Sequence, residues 1–247
     1  MKKRERKERK RSISLGIVLF LMVGALSGCA KNAEQGEKNV VQDEKQETEA
    51  KETKGSEEVR EITDMAGRTV KVPAEIDSVF SPKPTSAIYL YTLVPDKLLG
   101  WNYELNDIEK SVILDEYETL PNFGMGDSIN YEAVIAEEPE IALNVGTIND
   151  AFISECDALS DSLGIPVVAV DGDLMAAPEA YRFMGDVLGA EEEAEKLAAY
   201  AEETFEDIAE MNVPEEEKIR IYYGNGEDSL ETAPAGSEHA QIIDMIH

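Results

Sequence analysis

The sequence predicts an α/β protein: a first lobe on a parallel sheet, a long connecting helical region, and the start of a second α/β lobe. Three observations predict it. Short, unbroken apolar runs at 76–80, 97–101, 141–145 and 166–170 alternate with helical periodicity, the pattern of a parallel sheet covered on both faces. A long helical stretch then opens at Pro178, breaks at Gly189 and runs to about Met211; proline suits a first helical turn. After Pro214 an apolar run returns at 219–223 and a helical one at 240–246.

Each element has a local reason. Residues 61–73 read as a hairpin turning at Asp64-Met65-Ala66-Gly67, with Gly67 supplying the turn conformation. The loop 81–86, SPKPTS, leads into a helix at 87–93. A polar loop fills 102–106. The Gly-rich NFGMGD at 122–127 precedes a helix at 131–137, with Ser128 or Asn130 as its cap. Gly164 closes a helix at 152–163. In the helix at 191–211, Leu197, Tyr200, Ala201, Phe205 and Ile208 are spaced for one buried stripe.

The first eleven residues carry eight Lys or Arg and two Glu, and fourteen mostly apolar residues follow. Leu26-Ser27-Gly28-Cys29 comes next. Basic, apolar, small-residue order is that of a secretory signal, and the apolar run falls short of the about 20 residues of a membrane span. The tetrapeptide resembles the lipobox of bacterial lipoproteins. That resemblance implies a signal peptide at 1–28, cleavage before Cys29 and diacylglycerol on its sulfur, with palmitate as a lipid of the anchor. An uncleaved signal anchor, or a chance Cys, is the alternative. Residues 29–58 are rich in Glu, Lys, Gln and Thr with almost no large apolar side chain, too polar to offset their ordering entropy. They read as a disordered tether.

The chain has 23 Lys and Arg against 52 Asp and Glu. Removing 1–28 takes away eight bases and two acids, leaving 15 and 50, a formal charge of −35. Such a surface repels nucleic acid and anionic lipid. With Cys29 assigned to lipid, Cys156 stands alone, so the mature monomer has no internal disulfide. The sequence has no Gly-x-Ser-x-Gly elbow, Walker loop or His-Glu-x-x-His, which counts against an enzyme on the same scaffold. A structural or adhesive lipoprotein is the third class; it has no need of Gly, Asn and Ser loops at strand ends.

The run Ile62-Thr63-Asp64-Met65-Ala66-Gly67-Arg68-Thr69-Val70-Lys71-Val72-Pro73 resembles the opening of the iron-complex substrate-binding proteins of ABC importers. The elements that follow match in order: a strand with a Pro/Thr loop, Leu98-Leu99-Gly100-Trp101, Tyr131-Glu132-Ala133-Val134 before Pro139-Glu140-Ile141, then Leu230-Glu231-Thr232-Ala233-Pro234-Ala235-Gly236-Ser237. The resemblance covers about residues 59–247. It implies a two-lobed class III periplasmic-binding-protein-like receptor with ligand between the lobes and no chemistry done on it. It also implies an N-terminal lobe at 59–175, a connecting helical region at 176–213 and permease and ATPase partners at the outer face of the cell membrane. The implied cargo is an iron complex, ferric siderophore or haem, with cobalamin or molybdate as alternatives. The receptor is expected to be a monomer with no covalent cofactor besides lipid. About 35 residues follow the long helix, short of a usual domain of 50 or more. Residues 214–247 are therefore expected to be an incomplete C-terminal lobe, a natural small subdomain being the alternative.

Ligands of open parallel sheets bind beyond the carboxyl ends of the strands. The loops 81–86, 101–104, 146–149 and 171–173 qualify, joined by 124–127, 223–227 and 232–239. Trp101 and Tyr103 could stack on a flat ligand, or Trp101 plugs the core. Asn102 shares their loop. Lys83 meets an anionic ligand or is solvated. Thr85 and Ser86 bind ligand or cap the next helix. Asn144, Thr147 and Asn149 offer donors and acceptors or form a turn. Asp171 and Asp173 contact a cation or cap the helix at Pro178. Tyr223, Glu227 and His239 are the hard-metal trio, suited to ferric iron or axial haem ligation. Arg60, Arg68, Arg182 and Arg220 all lie outside these loops, which weighs against a strongly anionic ligand, unless the rest of a second lobe supplies the charge.

Overall fold

The computed structural model describes residues 58–247 except 212, 238 and 247. The signal peptide, the Cys29 lipidation site and all but the last residue of the tether lie outside the described residues.

Strands β1 (Val59–Thr63) and β2 (Thr69–Pro73) form the expected antiparallel hairpin, Val59 opposite Pro73 and Thr63 opposite Thr69. Strands β3 (Val79–Phe80), β4 (Ile141–Gly146) and β5 (Val167–Asp171) form the parallel sheet in the order β3-β4-β5. Helices α1 (Pro84–Leu93), α2 (Asp107–Lys110) and α3 (Tyr131–Ala136) fall between β3 and β4, and α4 (Asp150–Leu163) between β4 and β5. Helices α5 (Ala177–Leu188) and α6 (Glu191–Glu210) follow, and α7 (Gln241–Met245) comes near the end.

All of β4 is buried, so its two alternating faces feed two cores. Ile141, Leu143 and Val145 pack with Leu90 of α1 and with Met184 and Val187 of α5. Ala142 packs with Val134 of α3 and with Phe152, Cys156 and Leu159 of α4. Asn144 lies on that second face, its amide against Glu155 and Cys156 of α4. Asp64 pins the hairpin to the sheet. Its buried carboxylate accepts from the backbone N–H of Arg68 and Ala169 and from the Arg68 guanidinium, while Arg68 also donates to Asp157 and the Val167 carbonyl.

Several expectations are corrected. The run 97–101 is not a strand of its own. Pro95 starts a 3-10 turn through Lys97, and single bridges then divide the segment between Val79 and Asn122. The strand read at 76–80 is shortened to Val79–Phe80. The run 219–223 is not a strand: it finds no pairing partner among the described residues, and Ile219 stays 82% exposed. In α6 the buried stripe is shifted. Ala194 and Ala198 are buried, while Tyr200 faces solvent. Small residues are needed there because α5 comes so close that a Cβ on Gly185 would strike the Ala194 Cβ. Gly164 and Gly189 end α4 and α5 in the left-handed conformation, φ 71° and 68°.

Candidate functional site

A cavity of about 830 Å³ opens at the carboxyl end of β4. Its floor is Val145-Gly146-Thr147. The first turns of α1 (Lys83, Pro84, Thr85) and α4 (Asn149, Ala151, Phe152, Glu155) form two walls, and Met125-Gly126 and His239 complete the rim.

The sequence explains how each wall is aimed. Pro84 begins α1 at the first helical position and no side chain caps that helix, so its free end faces the cavity. Asn149 caps α4 by accepting from the Phe152 N–H at 3.0 Å, which turns Phe152 and Glu155 inward. Gly146 makes room for Phe152: a Cβ there would lie 2.7 Å from the ring. The Lys83 ammonium sits 5.0 Å from the centre of that ring and 2.9 Å from the Glu155 carboxylate. A cation over an aromatic face is attracted by its quadrupole. Asn144 is fully buried beneath and donates to Glu155 at 3.2 Å. Its carbonyl oxygen has no hydrogen-bond partner.

Of the residues singled out in sequence, the structure brings Lys83, Thr85, Thr147, Asn149 and His239 to this cavity. Trp101 lies in the core instead, 5% exposed, its indole N–H on the Tyr117 carbonyl at 2.8 Å and its ring beside Tyr91. Asn102 is buried and ties the Ser81 and Gly124 carbonyls together, so it holds two rim loops in register. Its Oδ1, like that of Asn144, is without a partner. Tyr103 is part-exposed and donates to Glu109. Tyr223 and Glu227 do not line the cavity that His239 lines. Among the described residues no group of three or more His, Cys, Asp or Glu could hold a metal ion.

Thr85 and Ser86 lie inside α1 rather than capping it, because the helix starts earlier, at Pro84. Ser86 accepts the Val145 N–H at 2.9 Å and so fastens α1 to β4. Asp173 caps the 3-10 turn that enters α5, accepting from Met175, and also accepts from Gln241 of α7. Met125 comes from the expected 124–127 loop, whereas Phe152 and Glu155 were missed. Phe152 and Glu155 are three apart on α4, and that spacing after an Asn cap is a signal for two side chains on one face.

Burial pushes the Cys156 thiol up, against the Asn144 hydrogen bond and the Arg68 charge that pull it down. Cys156 is therefore a protonated core side chain behind the site, not a nucleophile within it.

No protein-family model matches the chain, and no curated protein sequence does either. Solved structures do. An ABC transporter solute-binding protein from Sulfurospirillum deleyianum is 23% identical with a TM-score of 0.64, over 75% of this chain and 60% of that one. Holo-ViuP is 18% identical with a TM-score of 0.53, over 76% and 63%. The molybdate periplasmic binding protein MolA of Haemophilus influenzae, bound to molybdate, is 19% identical with a TM-score of 0.50, over 67% and 58%. The chain has the α/β fold of these binding proteins and spans about three-fifths of their length.

Proposed function

We propose that the chain is the extracytoplasmic solute-binding lipoprotein of an ABC importer and presents an iron complex, a ferric siderophore or haem, to its permease. The observation that carries this reading is the cavity itself. It is open and built mainly from strand-end loops and the N-terminal parts of α1 and α4, on a sheet shared with solute-binding proteins. Its polar groups suit holding a ligand: an ion pair, two hydroxyls, an amide and an imidazole around an apolar patch of Met125 and Phe152, the usual make-up of a small-molecule site. The reading takes Cys29 as the lipid anchor, the acidic segment after it as slack, and a monomer as the working form. The permease and ATPase are the partners.

Titration of the full-length chain with ferric siderophores, haem, cobalamin and molybdate tests it. Saturable binding of an iron complex, recovered unchanged, is expected. A ligand altered on release moves the protein to the enzymes; silence across the whole set removes the reading.

A further inference from the structure

The cation of the cavity is already neutralised. Lys83 is the one Lys or Arg among the described residues that line it. Its Nζ lies 2.9 Å from Glu155 Oε1 and 3.1 Å from Oε2, with the Phe152 ring behind. Asn144 fixes the carboxylate from below, through an amide that the strand holds fully buried. Lys83 and Glu155 also border a second hollow of about 420 Å³ on the α4 side, whose rim adds Asp127 but no further base. Three arginines are engaged elsewhere: Arg60 on the end of α5, Arg68 on Asp64 and Asp157, Arg182 on Glu195 and Glu202. The whole sequence carries a formal charge of −29, and −35 without residues 1–28, which repels anions at range.

An anionic ligand seated here must draw Lys83 away and then lie beside the carboxylate it left. The pair is partly exposed, Lys83 33% and Glu155 47%, so solvent screens the penalty, but a like charge beside the ligand still disfavours an anion relative to a neutral one. A neutral ligand meets no such obstacle: it finds the apolar face of Phe152 and Met125 and the hydroxyls of Thr85 and Thr147.

We infer that this lobe selects charge-neutral cargo, with Glu155 as the discriminating residue. A ferric trihydroxamate, in which three singly charged groups balance ferric iron, is the chemical class that fits. Ferric tricatecholates, haem with its propionates and oxyanions such as molybdate are disfavoured. The inference rests on the receptor reading above and narrows it.

The test uses the full-length chain, wild type and Glu155→Gln, titrated with a neutral ferric trihydroxamate and a trianionic ferric tricatecholate. Glutamine keeps the size and the Asn144 contact, and Glu155 is half exposed, so circular dichroism should confirm an unchanged fold. Wild type is expected to prefer the neutral chelate by about tenfold or more, and Glu155→Gln to narrow that preference by about tenfold as Lys83 turns to the anion. Equal or tighter tricatecholate binding by wild type overturns the inference and leaves the receptor reading standing. An unchanged ratio in the variant overturns the role of Glu155. If wild type binds neither chelate, this inference falls, and the receptor reading is then decided by its own titration with haem, cobalamin and molybdate.

Discussion

At the residue scale, single side chains tie separate segments together. Asp64 is the clearest. It holds the hairpin turn, the Arg68 guanidinium and the β5 backbone at once. Removing one partner of a buried ion pair costs about 3–5 kcal/mol, so Asp64→Ala should lower the denaturant-unfolding free energy by about that much. A loss under 1 kcal/mol would show the pair to be ornamental. Cys156 supplies a second check: buried and kept protonated, it should resist a disulfide reagent in native protein and react with it in urea. Rapid native reaction would contradict its place in the core. The sequence showed Asp64 only as a turn residue, because the Ala169 N–H that it accepts, and the Asp157 and Val167 partners of Arg68, are distant along the chain. Trp101 was legible as a choice between stacking and plugging; only the carbonyl of Tyr117, contributed by a loop far along the chain, decides where its indole N–H goes.

At the element scale, helix starts aim the site. Asn149→Ala removes the α4 cap and should cost about 1 kcal/mol, read as a lower denaturant midpoint; no change would mean that water serves the end of α4 equally well. Helices α1 and α5 meet through stacked Tyr89 and Tyr181, 4.9 Å between ring centres. Burial, reinforced by Tyr181, Asp171 and Asp173, pushes the Tyr89 phenol up to about 12. Its folded value is thus raised above the ordinary value of about 10. The stability this gives is intact below pH about 10 and is lost as pH rises through about 12. Tyr89→Phe should flatten that part of the stability–pH curve. Strands and helices with unbroken periodicity, β4, β5 and α4 among them, were legible within a residue or two. The exceptions have physical causes. Pro95 and two competing partners dissolve the strand at 97–101, and the run 219–223 has no neighbour to pair with among the described residues. Helix α2 was missed although Asn106 and Glu109 form its capping box, a signal of the N-x-x-E kind.

At the scale of the whole molecule, topology gathers Lys83, Thr85, Thr147, Asn149 and His239 from three separate stretches of chain into one cavity. The strand-end rule pointed to the loops that hold them, because a parallel sheet puts all such loops on one edge. It could not name Phe152 and Glu155, which reach the cavity from within a helix. The central claim is that this cavity is where cargo binds. The most direct measurement is equilibrium titration of radioactive iron complexes onto wild type and onto Thr147→Trp, which fills the floor from an exposed position. The account predicts saturable binding by wild type and a loss of at least about tenfold in the variant, with unfolding unchanged. Equal binding by both proteins would contradict it and move the site elsewhere.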